Sequence, residues 1–205
     1  QSRFNSVAAY AGRMFFAGLG SGTSTGKILY SRIIENIKES SSCTVIGECY
    51  QQNDPASEYY NDLLETDGGV IYIPEAYNIK KLYTHNQYLY VFADNGVWVI
   101  SGPDSRFTAT SYYVSKVSNV GIYSAGSFVA AEGVPFWWSK YGIHTFAYDE
   151  SSGFPMEQNL SISTVQSFWN NIDTNAKDKV TAAYDRVNKQ IFWLYPENGE
   201  VVLNK

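Results

Sequence analysis

One plan recurs four times along this chain, and it constrains the fold more than any single motif does. Each copy has a short apolar strand, a polar turn, an aromatic-rich strand, a glycine turn and another strand. The first copy reads VAAYAGRMFFAG, then a loop, then GKILYS. The second is KKLYTHNQYLYVFADNGVWVIS, the third GSFVAAEGVPFWWSKYGIHTFA and the fourth TAAYDRVNKQIFWLYPENGEVVLN. A glycine opens the final strand every time: Gly26, Gly96, Gly142 and Gly199. Asp94-Asn95-Gly96 and Glu197-Asn198-Gly199 signal hairpins, because Asn-Gly tolerates the positive φ of a type I′ turn.

These glycines are 70, 46 and 57 residues apart. Propeller blades of four strands recur at about 40–50 residues, so the middle interval fits and the outer two need insertions. The fold class expected is all-β, with propeller-like blades of antiparallel strands and one or two short inserted helices. Residues 1–205 read as one propeller-like β region, with a helix-containing insertion over 35–67 between blades. In that insertion Asp54 is placed as an N-cap, Pro55 at the first helical position and Gly68-Gly69 as the stop, with Leu63 and Leu64 facing the body. A second helix is expected after Ser163, its presumed cap by position, with Val165, Phe168, Trp169 and Ile172 as a narrow apolar stripe. The segment RFTATSYYVSKVSNVG, 106–121, alternates in polarity and should supply outer strands. Aromatic residues at 16%, 17 of them tyrosines, agree with sheets, where flat rings pack on pleated faces.

The loop AGLGSGTSTGK, 17–27, imitates a phosphate cradle and fails its tests. A Walker loop needs glycine five places before Gly26, where Ser21 stands, and a hydroxyl after Lys27, where Ile28 stands. The dinucleotide pattern fails at Thr23, and a strand-like KILYSRI follows where a helix must hold the anion. Because Gly26 takes the turn position of the repeat, the loop reads as a lengthened hairpin turn.

Other chemistries are weighed in the same way. Glu58, Asp62 and Glu65 could suggest a glycosidase pair, but acids so spaced on a helix form a solvated face, at ~0.2–0.5 kcal/mol of repulsion per pair. No turn matches the Asp-box S-x-D-x-G-x-T-W, and no G-x-S-x-G elbow is present. Cys43 and Cys49 have no zinc spacing and read as free thiols; His85 and His144 have no cysteine near them in sequence. Asn159-Leu160-Ser161 matches a glycosylation sequon, and Phe136-Trp137-Trp138 reads as core with at most one side free to stack on a sugar. A net charge of −5 argues against a nucleic-acid grip, and no apolar run approaches the ~18 residues of a membrane span. No catalytic, cofactor-binding or metal-ligating residue is assigned, and no enzyme is expected.

The segments GECYQQNDPASEYYNDLLETDGGVI, LYVFADNGVWVISG, FTATSYYVSKVSNVG and EGVPFWWSKYGIHTF resemble the tail nozzle proteins, or tail tubular protein B, of short-tailed bacteriophages (podoviruses). The resemblance covers most of residues 4–148 and thins toward the end. It implies an incomplete part of a longer chain, in keeping with a start at Gln1 rather than Met. It further implies a structural virion protein, assembled in the bacterial host cytoplasm as a homo-hexamer beside portal, adaptor and tail fibre proteins. DNA would pass through its channel during ejection without specific binding, with no small-molecule substrate and no cofactor. Such a duct should have a lining in which carboxylates outnumber Lys and Arg. The alternative reading is a carbohydrate- or receptor-binding β-propeller, and a propeller hydrolase stands third.

Overall fold

A computed structural model of the chain describes residues 3–20, 25–33, 64–148, 155–197 and 200–204. Most of the expected 35–67 insertion lies outside these residues, together with Cys43, Cys49, Glu58, Asp62 and the Asn198-Gly199 corner.

The four recurring stretches are four antiparallel sheets, each following chain order. The first sheet joins β1 (Ser6–Tyr10), β2 (Arg13–Ala17), β3 (Lys27–Tyr30) and β4 (Gly69–Tyr72). The second joins β5 (Ile79–His85), β6 (Tyr88–Ala93), β7 (Gly96–Ser101) and β8 (Tyr113–Ser118). The third joins β9 (Val129–Ala131), β10 (Val134–Trp138), β11 (Ile143–Tyr148) and β12 (Pro155–Asn159). The fourth has three strands, β13 (Thr181–Asp185), β14 (Gln190–Glu197) and β15 (Glu200–Asn204). Two short helices, α1 (Gln166–Asn171) and α2 (Thr174–Asp178), lie between the third and fourth sheets in the chain. The all-β expectation therefore holds, and Gly26, Gly96 and Gly142 each stand at the start of the third strand of a sheet.

The hairpin turns depart from expectation. Positive φ falls on Ala11-Gly12 (49° and 73°) and Glu132-Gly133 (51° and 86°), the pairs between first and second strands. The Asn-Gly pair at 95–96 makes no type I′ turn: Asn95 keeps negative φ, and Gly96 is extended at 159°. The loop at 17–27 joins β2 to its antiparallel neighbour β3, as a hairpin loop must.

Two compact units are present, Gln1–Ala93 with Trp98–Lys116 and Asp94–Val97 with Val117–Lys205. In the first, the inward residues of sheets one and two form one core, including Phe15, Ile28, Tyr30, Ile71, Leu82, Val91 and Ile100. Each such side chain contributes roughly 1.5–3 kcal/mol on leaving water. Phe107, just past a single 3₁₀ turn at Pro103–Ser105, sets its ring edge-on to Phe15 and to Tyr30, both at 5.3 Å. First strands run side by side: the Leu82 amide donates to Ser6 Oγ (2.8 Å), and Thr84 Oγ1 donates to the Ala9 carbonyl (2.8 Å). Tyr10 Oη reaches the Gln87 carbonyl at 2.8 Å, and burial pushes this phenol up to about 12.

The second unit repeats that relation, with Tyr184 of β13 donating to Glu132 beside β9 at 2.6 Å. Its core is Trp138, Trp169, Ile172, Ala176, Val180 and Tyr195, with Trp169 set edge-on to Trp138 at 4.4 Å. Paired alanines, Ala8-Ala9, Ala130-Ala131 and Ala182-Ala183, lie in the first strands of three of the four sheets.

Candidate association surface

Three polar knots punctuate the sheets, and each is a candidate for chemistry. The first is Arg13 on β2, whose alternation turns it inward where an apolar residue is expected. Its guanidinium Nη1 donates to the carbonyls of Ser31 (2.9 Å), Thr66 (3.2 Å) and Asp67, and Nη2 donates to that of Glu65. The group also lies over the rings of Tyr30 and Phe107, 5.5 and 5.7 Å from their centroids. Burial draws its pKa down, opposed by Tyr30 and Asp67, and it stays a cation. The cation thus joins the chain leaving β3 to the chain entering β4. Alongside, the Ile33 amide donates to the Thr66 carbonyl at 3.0 Å. Every named acceptor is a backbone carbonyl, so the knot holds structure and offers no reacting group.

The second knot is a His–Glu–Ser line. His144 on β11 is 2% exposed, and its Nδ1 meets Glu157 Oε1 of β12 at 2.5 Å. Glu157 Oε2 accepts from Ser118 Oγ at 3.3 Å. The order is wrong for nucleophilic catalysis, because the carboxylate separates serine from imidazole instead of orienting the imidazole toward it. His144 Nε2 is buried without a hydrogen-bond partner, beneath the stacked ring of Trp137 at 5.8 Å. Burial lowers the histidine's pKa, while the hydrogen bond and charge of Glu157 oppose that shift. This is a closed pair that leaves no group free to react.

The third knot supports a surface. Asn159, at the end of β12, accepts through Oδ1 from the Ser161 amide (2.9 Å), Ser161 Oγ (2.8 Å) and the Ile162 amide (3.2 Å). Ser161 Oγ, buried, also meets Gln166 Oε1 at 2.6 Å and the Ile143 amide at 3.2 Å. Gln166 Nε2 and Asn159 Nδ2 both donate to the Tyr141 carbonyl, at 3.0 and 3.3 Å. Four backbone groups, the amides of Ile143, Ser161 and Ile162 and the carbonyl of Tyr141, are thereby fixed around one serine. What they hold outward is apolar: Tyr141 is 64% exposed, Ile162 71% and Phe168 51%, with Leu160 and Val165 exposed beside them in sequence. Residues 158–172 carry no charged side chain.

Several expected residues are placed differently. Ser163 does not cap α1, which begins at Gln166 with Val165 in the cap position and no side-chain cap. Of the expected stripe, Trp169 and Ile172 are buried while Val165 and Phe168 are exposed. Leu64 is exposed rather than facing the body, because residues 64–67 form a turn closed by Asp67 N to the Leu64 carbonyl (3.1 Å). Gly69 opens β4 and stops no helix. Trp137 and Trp138 are both buried, so neither is free to stack on a sugar. Asn159 of the sequon is occupied by the third knot. Glu65 joins the first knot through its carbonyl only. The expected strand in 106–121 is β8, the outermost of its sheet, with four exposed residues from Tyr113 to Lys116.

Sequence reasoning missed Arg13, Glu157 and Ser161 as organising residues. A signal existed for the first, since Arg13 interrupts an otherwise apolar strand. None existed for the other two, which gain meaning only from strand pairing. Among the described residues no group of three or more His, Cys, Asp or Glu side chains could hold a metal ion, and no helix is long and apolar enough to cross a membrane. No family model and no curated protein matches the chain.

Proposed function

We propose that the chain is a structural subunit of a phage tail nozzle, forming part of the tube through which DNA is ejected, and that it has no catalytic role. One observation carries this reading: the segments that resemble the nozzle family fall on scaffold. LYVFADNGVWVISG is the β6–β7 hairpin, FTATSYYVSKVSNVG contains β8, and EGVPFWWSKYGIHTF runs through β10 into β11. Among the described residues the likeness falls on strands and turns, which fits a protein that works by shape, whereas an enzyme's likeness would converge on a site. The rigid uncharged ledge above supports the same view, because a subunit needs surface to give to its neighbours. In this role identical copies, six on the resemblance, surround a channel in the virion next to portal, adaptor and fibre proteins.

Negative-stain electron microscopy of the protein tests the proposal. Hollow particles of one copy number, with no binding on a glycan array, are the expected outcome. A monomer that binds glycans would favour the receptor-binding propeller, and turnover in an esterase or glycosidase screen would end the structural reading.

A further inference from the structure

We infer that the ledge formed by Tyr141, Leu160, Ile162, Val165 and Phe168 is a contact surface for a second copy of this chain. The inference rests on the subunit reading above and assigns to it a surface.

Area is the first argument. At their fractional exposures these five residues present roughly 500 Å² of accessible, mostly apolar surface, near the upper limit for the largest patch of a typical monomer. With a polar border this reaches the ~800 Å² per partner that a stable association buries. Rigidity is the second. The ledge stands on a hydrogen-bonded frame through Asn159, Ser161 and Gln166, so little backbone freedom is lost when it is covered.

Charge and hydrogen-bond chemistry then select the occupant. The chain is acidic overall, at −5, so two copies repel one another over most of their surfaces. From 158 to 172 that repulsion vanishes, with Glu157 and Asp173 marking its limits and Lys140 standing beside Tyr141. The exposed polar residues of this stretch are Gln158, Ser163, Thr164, Ser167, Asn170 and Asn171, hydroxyls and amides. Such groups both donate and accept, so a border made of them can pair with its own copy. A charged border would repel its copy and favour an oppositely charged foreign partner. An apolar centre with a neutral, self-complementary border is the chemistry of contact between like subunits.

Sedimentation velocity over a range of concentrations provides the test, on the whole chain and on Ile162→Asp, Phe168→Asp and the double variant. Val187→Asp, at an exposed apolar tip on the β13–β14 turn, is the control for added charge. Circular dichroism melting verifies that each variant is folded; these side chains are exposed, so unchanged melting is expected. The wild type and Val187→Asp should associate alike, and each ledge variant should raise the dissociation constant at least about thirtyfold, the loss of one buried anchor. Assembly of the double variant at wild-type concentrations would overturn the ledge as the contact while leaving the subunit reading intact. A wild-type chain that stays monomeric at the highest concentration would overturn both.

Discussion

Replacing Arg13 with methionine is the sharpest probe of how this scaffold is fastened. The substitution keeps an unbranched apolar stem and removes the donors that hold the carbonyls of Ser31, Glu65, Thr66 and Asp67. The bond to the Ser31 carbonyl is buried, so losing it costs about 1–3 kcal/mol in stranded polarity. The other three are part-buried and water can replace the donor, at ~0.5–1.5 kcal/mol each. Loss of the contacts to Tyr30 and Phe107 adds about 0.5–2 kcal/mol. Against this, methionine relieves the desolvation of a buried cation, an offset of a few kcal/mol. The net expectation is a loss of about 2–4 kcal/mol, a large share of the ~5–15 kcal/mol that holds a domain together. Lysine at the same place separates charge from geometry. Its single ammonium cannot span four carbonyls, so Arg13→Lys should not restore stability. Hydrogen exchange is the suitable assay, because loss should centre on the Ile33 amide (bonded to Thr66) and the Ala109 amide (bonded to Glu65), with Val91 in β6 as an internal reference. Wild-type protection at Ile33 and Ala109 in the methionine variant, or full rescue by lysine, would refute the reasoning.

Other substitutions test the second unit and the corners. The folded-state pKa of His144 is depressed below its ordinary 6.5, so stability is complete above about 6.5 and falls as pH drops through the folded value; His144→Gln should flatten that part of a denaturation profile, and parallel profiles would remove the buried pair from the explanation. Gly142→Ala combines a φ of 142° with a Cβ only 2.0 Å from Ser161 Oγ, and a thermal melt should show a loss of about 1–3 kcal/mol, whereas Gly20→Ala, with nothing within 4 Å, should be near neutral; equal melting of the two would contradict the close approach. Trp169→Ala should cost about 3–5 kcal/mol in urea titration and its neighbour Phe168→Ala less than ~0.5, because only Trp169 is inside the core; comparable losses would mean that α1 presents another face.

How much of this was legible in the sequence depended on whether the signal was local. The four sheets were, because each aromatic strand and its turn lie within a few dozen residues and alternation is read along the chain. β8 was found for the same reason. The helix at 163–172 was only partly legible: periodicity marked Trp169 and Ile172 as inward, but an offset of three or four residues cannot say how wide a neighbouring sheet is. Here the sheet covers those two and leaves Val165 and Phe168 exposed. The partners of the first two polar knots were illegible because they are distant in sequence, as Glu65 is from Arg13 and Glu157 from Ser118. Asn159 had a local motif, and the motif suggested glycosylation where the side chain in fact closes a turn.

The recurring glycine shows how a correct pattern can carry a mistaken cause. Read as sequence, it marks a hairpin turn that needs positive φ. In two of the sheets a close approach supplies a cause of its own. A Cβ on Gly26 would lie 2.3 Å from the Ile73 carbonyl, in the chain just past β4, and a Cβ on Gly142 would meet Ser161, just past β12. In both sheets, then, the corner that opens the third strand is crossed by the chain leaving the fourth. The Ile73 amide donates to the Gly26 carbonyl at 3.0 Å, and the Ser161 hydroxyl accepts from the Ile143 amide beside Gly142. In these two sheets glycine is needed where the exit path crosses the corner, and each exit fastens its sheet before the next begins. The ledge at 160–168 is that exit in the third sheet. Its rigidity and its exposure have one origin: the backbone is committed to the corner, and the apolar side chains that follow stay outward until Trp169 and Ile172 reach the core.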